Sequence, residues 1–153
     1  MKSLELKIPP VLVAALVVGL QVLAARLLPV MQVDVLSRSE IAILFGLVGA
    51  AFIVLGVWEF RNSSTTINPH KPHNSSTMVR SGVYKWTRNP MYLGMAFLLV
   101  AGGVYLANAL SIGLVWVFVA YLTRFQIGPE ECELLRLFPD EFKSYCDQTR
   151  RWI

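Results

Sequence analysis

Four apolar runs dominate this chain: Val11 to Leu28, Ile41 to Trp58, Met91 to Ala107 and Ser111 to Leu122. A helix needs about 20 largely apolar residues to cross a bilayer, or somewhat fewer when its ends snorkel or the membrane thins. The first two runs reach that length and the third is adequate. The fourth is short unless Tyr121-Leu122-Thr123 extends it. Asn108 divides the last two runs closely enough for a tight helical hairpin. The expectation is an all-α integral membrane domain with about four transmembrane helices, a helix 3–helix 4 hairpin and a cytoplasmic C-terminal amphipathic helix. With 153 residues, 55% of them hydrophobic and 16% charged, the chain fits one such domain. Residues 1–60 hold the first two helices, and residues 61–153 a long loop, the hairpin and the tail. The first run is expected to be a membrane span and not a cleavable signal: its apolar core is too long, and no small-x-small site follows before Pro29.

Orientation follows from Lys and Arg in the short loops. With four spans, the N-terminus, the second loop and the tail share a side. Lys2 and Lys7 lie in the first of these and Arg61, Lys71, Arg80, Lys85 and Arg88 in the second. Arg124, Arg136, Lys143, Arg150 and Arg151 lie in the third, so only Arg26 and Arg38 of the 14 basic residues fall elsewhere. That side is expected to be cytoplasmic, with both termini there, as in a protein of the bacterial inner membrane. The net charge of +4 then reflects positive-inside bias and anionic headgroups and requires no nucleic-acid partner.

Cys132 and Cys146 lack paired spacing and read as reduced structural thiols in the tail. His70 and His73 sit in a Pro-rich turn, Asn68-Pro69-His70-Lys71-Pro72-His73, with no third ligand nearby in sequence, so a surface loop is expected rather than a metal site. Asn62-Ser63-Ser64 and Asn74-Ser75-Ser76 match the glycosylation pattern, which a cytoplasmic location leaves unused.

The segment Ser81-Gly82-Val83-Tyr84-Lys85-Trp86-Thr87-Arg88-Asn89-Pro90-Met91-Tyr92-Leu93-Gly94 leads from the second loop into the third apolar run. Asn89 suits a helix N-cap and Pro90 the first helical position. The free N–H groups of Met91, Tyr92 and Leu93 would then face the boundary and attract a carboxylate or phosphate, with Arg88 adding a full charge. Gly82 and Gly94 permit close approach of backbone or ligand, and Tyr84, Trp86 and Tyr92 supply aromatic faces. The plainer alternative is a well-capped helix with an aromatic belt and snorkelling cations.

After the fourth run, Pro129 suits a first helical turn, followed by Glu130, Glu131 and Glu133. Acidic residues there complement the helix dipole. Leu134, Leu135, Leu137, Phe138, Phe142 and Tyr145 form an apolar stripe interrupted by Pro139, expected to pack across the cytoplasmic ends of the bundle. Two adjacent carboxylates opposite a basic helix start can hold a ligand with both an anionic and a cationic group.

From Thr65 to Ile153 the chain resembles the integral-membrane methyltransferases, which include the isoprenylcysteine carboxyl methyltransferases and phospholipid methyltransferases. The resemblance rests on Ser81-Gly82-Val83-Tyr84-Lys85-Trp86, Arg88-Asn89-Pro90-Met91-Tyr92-Leu93-Gly94, Glu130-Glu131 and Phe138-x-x-Glu141-Phe142-x-x-Tyr145. It is strongest to small bacterial members ending in Arg-Arg-Trp. It implies S-adenosyl-L-methionine as methyl donor, bound between the second cytoplasmic loop, the start of helix 3 and the tail. The contacts carried over are Ser76, Thr77, Met78, Val79, Tyr84, Asn89, Pro90, Met91, Tyr92 and Glu130. The cofactor's carboxylate suits the helix start and Arg88, its ammonium suits Glu130, and its adenine needs an apolar or aromatic slot. The implied acceptor is a lipophilic or membrane-accessible small molecule, methylated at the cytoplasmic face. Arg124, Gln126 and Glu131 are the candidates for assisting the reaction. The isoprenylcysteine enzymes have His at Asn89, Arg at Gln126 and Gly at Pro139, so the resemblance fixes the cofactor more firmly than the acceptor.

Two other classes fit the same pattern. A nicotinamide-dependent membrane reductase of the sterol-reductase type could share the fold and tail, and NADPH binding would distinguish it. A non-enzymatic four-helix membrane protein, such as an assembly factor or small transporter, is the other. A transporter would be expected to carry midspan charges, and the apolar runs hold none.

Overall fold

The computed structural model describes residues 5–29, 37–63 and 78–153, and every regular element among them is helical. Helix α1 spans Pro10–Leu27, with proline in its first turn and Arg26 in its last, both placements that suit the missing N–H and the helix dipole. Helix α2 spans Arg38–Asn62. A short 3₁₀ turn, Gly82–Lys85, precedes α3, Pro90–Tyr105. Helix α4, Ala109–Leu122, passes through a π-helical turn, Thr123–Ile127, into α5, Gly128–Leu137. Pro139 starts α6, Pro139–Gln148.

Among the described residues, three helical stretches are long and apolar enough to cross a membrane: α1, α2 and the continuous 29-residue run Ala109–Leu137. Helix α3, at 16 residues, rises about 24 Å at 1.5 Å per residue and is the short one. The expectation of about four spans therefore resolves into three to four apolar helices, with the shortness at α3 instead of the fourth run. The α-helical part of the fourth run ends at Leu122, as expected, but the helix continues beyond it. The π turn carries the backbone past the polar residues Thr123, Arg124 and Gln126 without breaking the helix. Its apolar part still ends at Ile127, so α5 stands beyond the span.

Helix α2 lies along α3, while α1 packs on α4 and α3. The α2–α3 contact depends on two glycines. A Cβ on Gly49 would stand 2.7 Å from the Gly94 carbonyl oxygen, and one on Gly94 would stand 2.6 Å from that of Gly49. Small residues of this kind let helix backbones approach where lipid provides no hydrophobic drive. Val13 and Val17 of α1, Leu99 of α3 and Phe118, Leu122 and Ile127 beyond them form the main core.

A polar knot ties the same three helices together. The buried Gln21 amide donates to Leu99 O (2.9 Å) and Ser111 O (2.8 Å), and Ser111 Oγ donates back to Gln21 O (2.8 Å). Asn108 caps α4 by accepting from the Ser111 amide (3.0 Å), and its own amide donates to Leu28 O (3.1 Å). At the other end, the Leu6 amide donates to Phe125 O (3.1 Å), and the Arg88 amide to Arg150 O (2.9 Å). The residues just before α1, the start of α3 and the end of the chain thus meet the α4–α5 junction.

Candidate functional site

The loop entering α3 is anchored by the end of α2. Ser81 Oγ donates to Glu59 Oε2 (2.5 Å), and Gly82 follows with φ +55°. A Cβ on Gly82 would lie 2.1 Å from Glu59 Oε1, so any other residue would have to displace that carboxylate and adopt a left-handed backbone that favours glycine. The 3₁₀ turn then drops Tyr84 inward. Its ring meets Phe60 edge-on at 5.5 Å, and its carbonyl accepts from the Tyr145 hydroxyl of α6 (2.6 Å). Val79 and Phe142 complete this second core, with Met78, Val83 and Leu134 against it. The Tyr84 hydroxyl is buried and has no hydrogen-bond partner, and burial pushes its pKa up. It lies within electrostatic reach of Glu130 and Glu59. Trp86, by contrast, is 77% exposed and suits an interfacial belt.

The start of α3 is held by the last residues of the chain. Arg88 donates to Thr149 O (2.7 Å) and Cys146 O (3.4 Å) and pairs with Glu131 (2.9 Å). Its Nε is buried without a partner. Asn89 occupies the N-cap position with Pro90 at N1, but the expected side-chain cap is absent. Its amide instead donates to Arg151 O (2.9 Å), which also accepts from Thr87 Oγ1 (3.2 Å). The tail thus fixes the Asn89 side chain through its amide nitrogen, while its oxygen accepts from none of the free helix N–H groups. Trp152 Nε1 donates to Thr123 Oγ1 in the π turn (3.1 Å), fastening the same strap to the α4–α5 junction.

The two adjacent glutamates of α5 have opposite surroundings. Glu131 sits between two guanidinium groups: Arg88 on Oε1, and Arg151 on Oε1 (3.1 Å) and Oε2. That bonding raises the Arg151 pKa. Glu130 accepts on Oε1 from the Tyr92 hydroxyl (2.8 Å) and Gln126 Nε2 (2.5 Å) and forms no ion pair among the described residues. Desolvation pushes its pKa up to about 7, opposed by the hydrogen bonds from Gln126 and Tyr92 and reinforced by the Glu131 charge. Successive residues of a helix diverge by about 100°, which sends neighbouring carboxylates to different partners.

Of the residues expected at the site, Tyr84, Arg88, Asn89, Tyr92, Gln126, Glu130 and Glu131 come together around the α3 start and α5. Pro90 is buried at the head of α3, and Met91 faces α2, within 2.8 Å of where a Cβ on Gly56 would stand. Met78 and Val79 belong to the core beneath Tyr84. Ser76, Thr77, His70 and His73 lie outside the described residues. Arg124 points elsewhere, pairing with Glu5 at 3.4 Å with its side chain 56% exposed. Cys132 and Cys146 are free thiols, and burial pushes that of Cys146 up. Sequence reasoning missed the roles of Thr149, Arg151 and Trp152. Their terminal position and the Arg-Arg-Trp ending were the only local signal.

An all-helical chain with membrane-length helices and an ionic site gathered at one end of the bundle is the class that the geometry defines. A family profile described as phospholipid methyltransferase matches residues 38–141, well over half of the chain. The chain belongs to that family of membrane methyltransferases. It is similar to an uncharacterized protein of Haemophilus influenzae, 36% identical over 63 residues, which are 41% of this chain and all of that protein. It is also similar to protein-S-isoprenylcysteine O-methyltransferase of Saccharomyces cerevisiae, 32% identical over 78 residues, 49% of this chain and 31% of the yeast enzyme. The chain therefore matches less than a third of the yeast enzyme's length. No solved structure gives a significant match.

Proposed function

We propose that this protein is an S-adenosyl-L-methionine-dependent methyltransferase that modifies a lipophilic or membrane-accessible acceptor at the cytoplasmic face. The observation that carries the reading is the pairing of unsatisfied groups at the α3 start. Glu130 is a carboxylate with only neutral partners, and Arg88 Nε is a buried cationic donor with none. A ligand with a zwitterionic amino-acid end supplies a partner for each, and the Tyr84 hydroxyl gains one from the same molecule or from bound water. The donor and acceptor set therefore fits the cofactor. When bound, S-adenosyl-L-methionine supplies a methyl group on a sulfonium, an electrophile that needs no further activation.

The chain's own residues bind, orient and exclude water. Glu130 holds the ammonium, while Arg88 Nε and the backbone at Met91 and Tyr92 meet the carboxylate. The aromatic core around Phe60 and Tyr84 offers the apolar wall that adenine requires. Masked from water by α1, α3 and α4, a lipophilic acceptor reaches the boundary laterally, and alignment there is the main contribution to rate. The family match supports methyl transfer over the reductase and non-enzyme alternatives.

The test uses purified protein in vesicles with methyl-labelled S-adenosyl-L-methionine and a total membrane lipid extract. Label entering the organic phase, and absent with Glu130→Gln, is the expected result. A folded protein that transfers no label to any membrane fraction would refute the reading.

A further inference from the structure

Glu130 and Glu131 are neighbours in sequence, yet only one of them is available to a ligand. Both oxygens of Glu131 are engaged, Oε1 by Arg88 and Arg151 and Oε2 by Arg151. Arg151 is placed by the strap: its carbonyl receives Asn89 Nδ2 and Thr87 Oγ1, and the next residue, Trp152, is fixed to Thr123. Remove the Arg151 guanidinium and Glu131 keeps one cation instead of two. Its negative charge would then bear more strongly on Glu130 beside it and would also compete for a cationic ligand.

We propose that Arg151 is a positioning residue of the cofactor site: by holding Glu131 between two guanidinium groups, it leaves Glu130 as the single carboxylate that receives the ligand's positive group. This rests on the methyltransferase reading above and assigns a role to the chain's penultimate arginine-tryptophan pair that the sequence alone did not suggest. The groups facing Glu130 are Tyr92 from α3, Gln126 from the π turn, Tyr84 from the loop and Glu131 from α5, with Arg88 and Arg151 acting through Glu131. Gln126 carries no charge, and the tyrosines are neutral throughout the working range. The Glu131 clamp is therefore the adjustable electrostatic influence on Glu130.

The experiment is calorimetric titration of the full-length protein with S-adenosylhomocysteine, whose ammonium is its positive group, from pH 5.5 to 8.5. In the wild type, affinity should rise with pH and level off once Glu130 is ionised. In Arg151→Gln the midpoint should move up by about one pH unit, which is about tenfold weaker binding on the acid side and little change at pH 8.5. Arg151→Lys should restore most of the shift. Glu131→Gln should move the midpoint down, because the negative charge beside Glu130 is then gone; this variant carries the test if Arg151→Gln fails to fold. A uniform loss of affinity at every pH in Arg151→Gln, or an unmoved midpoint in Glu131→Gln, would overturn the proposal. No binding by the wild type at any pH would instead defeat the cofactor reading on which it rests.

Discussion

The two ends of the helix bundle are both polar, and they are built on opposite terms. At the Asn108 end, Gln21, Ser111 and Asn108 are buried, and their hydrogen bonds are closed among α1, α3 and α4. Among the described residues three buried side-chain atoms lack partners: two, Tyr84 OH and Arg88 Nε, lie at the α3 start, and the third, Tyr121 OH, is on α4. Glu130 adds a carboxylate with no cation. A closed network in an apolar surround fastens helices, whereas an open one carries a standing desolvation penalty unless something binds. The difference separates the part that holds the fold from the part that awaits a ligand.

The sharpest way to break this comparison is Glu130→Gln. Losing a charge-assisted contact should weaken S-adenosylhomocysteine about 30- to 100-fold at pH 8, read by calorimetry. The ligand-free protein should respond in the opposite sense. The folded pKa of Glu130, about 7, lies above its ordinary 4.5, so its contribution to stability falls as pH rises through that window. The variant should therefore melt higher than wild type at pH 8 and match it near pH 4.5. A lower melting temperature at pH 8 would mean that Glu130 is a structural group.

Gln21→Leu should reverse the pattern. Two long-range hydrogen bonds disappear, at an expected cost of about 1–2 kcal/mol in thermal or denaturant unfolding, with ligand affinity unchanged. An affinity loss matching that of Glu130→Gln would erase the distinction between the ends. Tyr84→Phe comes next. It removes an orphan hydroxyl, so ligand-free stability should hold or rise by a few tenths of a kcal/mol, while ligand affinity falls about threefold to tenfold. The smallest effect belongs to Arg124→Ala. Its exposed pair with Glu5 should contribute under about 1 kcal/mol, and methyl transfer should continue at near the wild-type rate.

Much of the helical layout was legible because hydropathy is a local property. The runs beginning at Val11, Ile41 and Met91 coincide with α1, α2 and α3 to within a few residues. The fourth coincides with α4, but its continuation into α5 was not legible, because hydropathy falls at Thr123, Arg124 and Gln126 while the π turn keeps the helix going. The polar knot was invisible for a different reason: Gln21 finds its partners 78 and 90 residues away. The strap is similar, with Arg88 reaching a carbonyl 61 residues on. Asn89 was read as a side-chain cap on local propensity, and a tertiary acceptor, Arg151 O, took its amide instead. The resemblance separated Glu130 from Glu131, but no local cue accounts for their different partners, because the helical turn between them, not their chemistry, decides which meets the arginines.

Calorimetric titration of wild type and Glu130→Gln with S-adenosylhomocysteine at pH 8, in lipid nanodiscs, tests the central claim most directly. The account predicts saturable binding near one ligand per chain in the wild type and about 30- to 100-fold weaker binding in a variant that remains folded. A flat wild-type trace, or equal affinity in the two proteins, would contradict it.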